Sequence, residues 1–164
     1  MKSDNSKHHK SDSSNYSKFF LMLGLSFIAM YITMYLNTYE FDHVYFSLTR
    51  FYMTCLGIAA MAVIMLSLML KMYKNKKKNM AIYVGSLVLF VSALGLVRAQ
   101  RPIIGDVLYM KAMIPHHSIA ILTSKRADIK DPETKKLAEE IIEAQKREIA
   151  QMKKIIYRLE NESE

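Results

Sequence analysis

The chain has 164 residues, 51% of them apolar, and its 23 Lys and Arg against 15 Asp and Glu give a net charge of +8. Such a length suits about one domain, and the apolar residues are concentrated before residue 98, leaving a polar remainder too short for a large enzyme core of its own. One cysteine excludes an intramolecular disulfide and a four-cysteine zinc ribbon.

Residues 1–17, rich in Ser, Asn, Asp, Lys and His, read as a disordered basic leader, with His8 and His9 as solvated tail residues. Three apolar runs follow, at about 19–36, 51–70 and 80–97, and none contains Asp, Glu, Lys, Arg or His. As helices each spans roughly 27–30 Å, the thickness of a bilayer hydrocarbon core, so residues 18–98 are predicted to form three transmembrane helices. The first run is too long for a secretory signal and is followed by no small-residue cleavage site, so it reads as an uncleaved anchor. Met61, Met65 and Met69, with Met72 beyond them, form a stripe on the second span, and Met30 and Met34 a shorter one on the first. A thioether ladder for Cu(I) is one reading, and adaptable interhelical packing is the favoured one. Cys55, inside the second span, reads as an inert thiol.

The charges between the spans set the topology. Lys2, Lys7, Lys10 and Lys18 precede the first span, only Arg50 lies in the 37–50 connection, and Lys71, Lys74, Lys76, Lys77 and Lys78 fill the 71–79 connection. Basic residues favour the cytoplasmic side. The expectation is a multi-pass protein of the cell membrane with a cytoplasmic N terminus and an extracytoplasmic C-terminal segment, despite Arg98 and Arg101 just past the third span. The lysine cluster is expected to touch anionic lipid headgroups, and nothing beside it would read nucleic-acid bases. Glu40, Asp42 and His43 fall on the outer loop, where His43 is a candidate second-shell group or gate for a site, with ordinary loop polarity as the plainer reading.

Pro102 and Gly105 separate the last span from residues 103–160, where helical patterning runs from about Asp106 to Ala127 and from about Pro132 to Leu159. Asp131 is a natural N-cap with Pro132 at the first helical position, and the short link makes the helices antiparallel neighbours. The fold class is therefore all-α: three transmembrane helices, then an extramembrane antiparallel helical hairpin. Asp106, Met110, Met113 and His117 share one arc of the first helix, and Ile141, Gln145, Glu148 and Met152 repeat the spacing on the second, continued by Leu137, Ile155 and Leu159. A fold-back about residues 129–130 sets Met113 level with Gln145 and Glu148, Met110 near Glu148 and Met152, and His117 near Ile141 and Gln145. A buried seam should be Leu and Ile, and unpartnered polar groups there cost a few kcal/mol each. Thioether and imidazole suit Cu(I) and its mimics, so Met110, Met113, His116, His117 and Met152 are the candidate metal ligands. Asp106, Gln145 and Glu148 are candidate second-shell groups. The alternative is a satisfied polar seam in which His117 hydrogen-bonds Glu148 or Gln145, and for Asp106 helix capping is the favoured role. His116 points about 100° from His117, so a straight helix cannot aim both at one ion. Pro115 is expected to kink the helix and either turn His116 inward or leave it facing water or a second subunit. A second apolar arc (Leu108, Ala112, Ile119, Leu122) needs a partner of its own, either another subunit in a homo-oligomer or the membrane-proximal loop.

The strings DVLYMKAMIPHHSIAI and DPETKKLAEEIIEAQKREIAQMK resemble the bacterial family known as domain of unknown function 305, whose hallmark is a Met-x-x-Met-Ile-Pro-His-His helix followed by Gln-x-x-Glu-Ile-x-x-Met. Residues 106–156 carry both halves, with Asp106, Met110, Met113, Pro115, His116, His117, Gln145, Glu148 and Met152 in the family's places. The three-span region also looks like that of membrane-anchored members. The resemblance implies a ferritin-like-type helical fold and, for some members, extracytoplasmic binding of copper or silver through Met and His.

Two other function classes were weighed. A di-iron carboxylate oxidase needs Glu-x-x-His pairs on two helices, and neither hairpin segment carries one, so no enzymatic activity is expected. A metal-free module that assembles with itself or with a membrane complex is the alternative to metal binding.

Overall fold

Every regular element among the described residues is helical. The structure, a computed structural model, describes residues 3–99 and 103–162, with side chains from Ser14 onward. Arg101 and Pro102, and the side chains of His8 and His9, lie outside the described residues. The elements are α1 (Ser3–Thr33), a short 3-10 helix (Phe41–His43), α2 (Leu48–Leu68), α3 (Lys76–Ala99), α4 (Asp106–Arg126) and α5 (Pro132–Asn161). Three of these, over Ser14–Thr33, Leu48–Leu68 and Lys76–Ala99, are long and apolar enough to cross a membrane.

The first helix corrects one expectation. It starts at Ser3, so the leader's backbone is helical where the sequence suggested none. No Gly or Pro interrupts residues 1–23, and extending an established helix requires far less than nucleating a new one.

Contacts divide the chain into two units. One comprises Met1–Tyr31 and Phe51–Ala99. Its core joins Tyr16, Phe19, Ala62, Leu66, Tyr73 and Ile82, with Met65 packed against it. The Tyr16 hydroxyl donates to Asn79 Oδ1 at 2.6 Å, and Asn79 Nδ2 donates to the Tyr73 carbonyl at 2.8 Å. A Cβ on Gly57 would lie 2.4 Å from the terminal methyl of Met30, so a larger residue there requires that flexible side chain to move. Met30 and Met65 are thus packing residues.

The other unit comprises Ile32–Arg50 and Gln100–Glu164. Its core is Met110, Ile114, Ile121, Ile149 and Ile156, with Tyr39 and Tyr45 of the loop packed against it. Both hairpin helices are built as their sequences suggest. Lys125 and Arg126 end α4 where the helix dipole favours cations. Asp131 caps α5, its Oδ2 accepting from the Thr134 amide at 2.7 Å, with Pro132 at the first position. Lys111 Nζ meets Glu160 Oε1 at 2.5 Å across the hairpin.

Candidate metal centre

The hairpin encloses an open groove of about 510 Å³. Met110, Met113 and His117 line it from α4, and Glu148 and Met152 from α5. The 3.6-residue repeat explains the α4 side, because residues three and four apart stack on one face. Met110 is buried, Met113, His117 and Met152 are half-buried, and Glu148 is exposed. His117 Nδ1 lies 2.9 Å from Glu148 Oε2. The contact falls outside hydrogen-bond geometry, so this nitrogen is buried with no hydrogen-bond partner among the described residues. It is a close electrostatic pairing that a small turn of the ring would convert into a hydrogen bond. A carboxylate at Nδ1 favours the tautomer protonated there, which leaves the Nε2 lone pair for a ligand.

The donor set suits a soft monovalent ion: three uncharged thioethers, one imidazole and a single adjacent carboxylate. Asp106 and Arg158 also line the groove with opposite charges, far from the all-oxygen shell that hard divalent ions require.

Several sequence expectations change here. The N-cap position of α4 is Gly105, with no side-chain cap bond, and Asp106 is the first helical residue; its carboxylate belongs to the groove instead of capping the helix. His117 pairs with Glu148, one helical turn further along α5 than the fold-back about 129–130 placed it. The link is extended at Ala127 and Asp131, so α5 starts displaced along the hairpin axis. Gln145 is half-buried and does not line the groove. His116 is exposed and lines a different cavity, of about 200 Å³, with Ser47, Arg50 and Ile119. The helix runs on through Pro115, so nothing turns His116 toward His117; their ring centroids stand 6.1 Å apart.

His43 is also elsewhere. It is buried, with Nδ1 2.9 Å from Ser118 Oγ, and that hydroxyl accepts the Tyr39 amide at 2.7 Å. Its Nε2 lies 3.7 Å from Glu40 and 3.6 Å from Asp42, and Asp42 is ion-paired with Lys153 of α5. Ligand atoms of Glu40, Asp42 and His43 lie within 4.8 Å of one another, but Asp42 is taken up by Lys153 and the histidine Nδ1 by Ser118 of α4. The triad fastens the loop. Arg50 does the same at the next turn, donating to the Met34 and Pro115 carbonyls while its guanidinium sits 4.4 Å from the Tyr35 ring centre. Of the second apolar arc of α4, Ala112 and Ile119 line the smaller cavity with Ser47 and Arg50.

Tyr109, Gln151 and Arg158 line the groove and were missed. The signal was present for Gln151: Glu148, Gln151, Met152, Ile155 and Leu159 form the full i, i+3, i+4, i+7, i+11 stripe of one helix face, of which the sequence reading followed a single row.

A family described as "Domain of unknown function (DUF305)" matches residues 96–161, the third helix's end and the whole hairpin. An uncharacterized protein of Acanthamoeba polyphaga mimivirus is 36% identical over 145 residues, covering 87% of this chain and 93% of that protein. That alignment extends well beyond the hairpin into the apolar helices. The relative is viral, whereas the resemblance pointed to bacteria. No solved structure matches.

Proposed function

The chain belongs to the domain of unknown function 305 family, and on that premise we propose that it is a membrane-anchored protein that reversibly binds a soft metal ion, Cu(I) or Ag(I), for tolerance or delivery. One observation carries the reading: three thioethers and an imidazole line a single groove, with a carboxylate 2.9 Å from the imidazole Nδ1. Met110, Met113, Met152 and His117 are the ligands, and Glu148 orients the His117 ring, as such partners commonly do for ligating histidines. Exchangeable ligation without chemical turnover is the mechanism. The lysine distribution supports an N terminus in the cytoplasm and the hairpin outside it.

The test is a titration of the detergent-solubilised full chain with Cu(I) under a competing chelator. The full chain is needed because the 32–50 loop shares a unit with the hairpin. The expected result is binding by the native chain and a loss of at least about a hundredfold in the Met110→Ala/Met113→Ala/His117→Ala variant, the upper end of what removing a ligand's partner alone does. Absence of binding by either protein would favour the metal-free assembly module. A C-terminal reporter active only in the cytoplasm would overturn the topology.

A further inference from the structure

A further cavity, of about 570 Å³, is lined entirely by residues of the apolar unit. One end is polar, formed by Tyr16, Ser17 and Lys78; the rest is small or apolar, with Ile58 and Ala62 at its floor and Gly85 and Leu89 along one side. Its lining on α3 repeats at i, i+3, i+4, i+7, i+8 and i+11 from Lys78, one face of the helix.

We propose that this groove binds an anionic phospholipid, with the phosphate at Lys78 and one acyl chain along α3 toward Leu89. The proposal rests on the membrane-spanning reading of the three helices and is independent of metal binding. Three observations select this occupant. From Lys78 to Leu89 the groove runs roughly 16 Å at the helical rise, the depth of a single leaflet of a roughly 30 Å core. A transmembrane helix of a second copy would need the full thickness. The polar end is strongly cationic: Lys71, Lys74, Lys76, Lys77 and Lys78 cluster there, no Asp or Glu occurs between Asp42 and Asp106, and among the described residues none of these lysines meets a carboxylate. The Lys78 ammonium is held at the mouth, 4.8 Å from the Tyr16 ring centre, by a ring that Asn79 fixes in turn. Finally, a Cβ on Gly85 would have nothing within 4 Å, so the groove is open over α3 where an acyl chain would lie.

That open space supplies the test. The full chain is placed in phosphatidylcholine nanodiscs with dilute phosphatidylglycerol, then released for native mass spectrometry. One retained phosphatidylglycerol, in preference to phosphatidylcholine, is expected. Lys78→Gln should lower that preference about fivefold, the factor equivalent to about 1 kcal/mol per lysine near a lipid surface. Gly85→Phe, whose Cβ meets nothing within 4 Å and whose ring would occupy the cavity, should abolish retention while helix content by circular dichroism is unchanged. Equal retention of both lipids, retention by Gly85→Phe, or a dimer that Gly85→Phe dissociates would each overturn the proposal. A chain that inserts normally yet shows no preference defeats the lipid site and leaves the membrane reading standing.

Discussion

The two flanks of α4 handle polar residues in opposite ways. Toward the loop, Ser118 is fully buried and bonded to both the Tyr39 amide and His43 Nδ1, while Arg50 holds the Pro115 carbonyl. Toward α5, one residue earlier, His117 Nδ1 lies beside the Glu148 carboxylate outside hydrogen-bond geometry, and the ring lines an open groove with three thioethers. Buried polar groups that are paired specify a packing, and groups left unpaired carry an energetic penalty unless something else meets them. The first flank therefore holds the loop, and the second leaves open the groove on which the proposed metal site rests.

This contrast can be broken experimentally. The largest effect expected is from Ser118→Ala, which leaves the buried His43 ring and the half-buried Tyr39 amide without their shared partner and should destabilise the hairpin unit by about 1–3 kcal/mol. Chemical denaturation would measure this, and below the melting temperature Cu(I) affinity should stay within a few-fold of native. A variant of full stability and lost metal binding would erase the distinction between the flanks. Glu148→Gln should do the reverse, weakening Cu(I) binding about ten- to hundredfold with little change in melting temperature. The pH response belongs to the loop flank. Burial, and then the Lys153 ammonium, hold His43 below the ordinary 6.5, against the opposite pull of Asp42 and Glu40. The folded unit then binds fewer protons than the unfolded chain, so stability is steady above about pH 6.5 and falls as pH drops below it toward the folded value. Melting temperatures between pH 7.5 and 5 should show this slope, and His43→Gln should flatten it. The smallest effect is that of Asp42→Asn, because the pair with Lys153 is largely solvent-accessible. It should cost under about 1 kcal/mol, read as a small drop in melting temperature that added salt removes from the native chain.

The legible parts of the molecule were those written in local repeats. The apolar runs gave the three long helices, and Asp131-Pro132 gave the start of α5. The three- and four-residue spacings of Met110, Met113 and His117 gave one wall of the groove. Register along α5 was less legible because it depends on the path of the link at 127–131, which no periodicity encodes. His116 adjoins His117 in sequence, and motif reading groups such neighbours, yet 100° of helical rotation sends them to different cavities. The clasp of His43 on Ser118 left no trace, since 75 residues separate them and a single hydroxyl carries the contact.

The loop at 32–50 and the hairpin after residue 103 form one body, although α2 and α3 lie between them along the chain. Two segments that touch must stand on the same shore of a bilayer, so the stretch joining them has to traverse it an even number of times. Both α2 and α3 cross, or neither does. A charge redesign that inverted only one of them would strand the loop from its hairpin and break the clasp at Ser118.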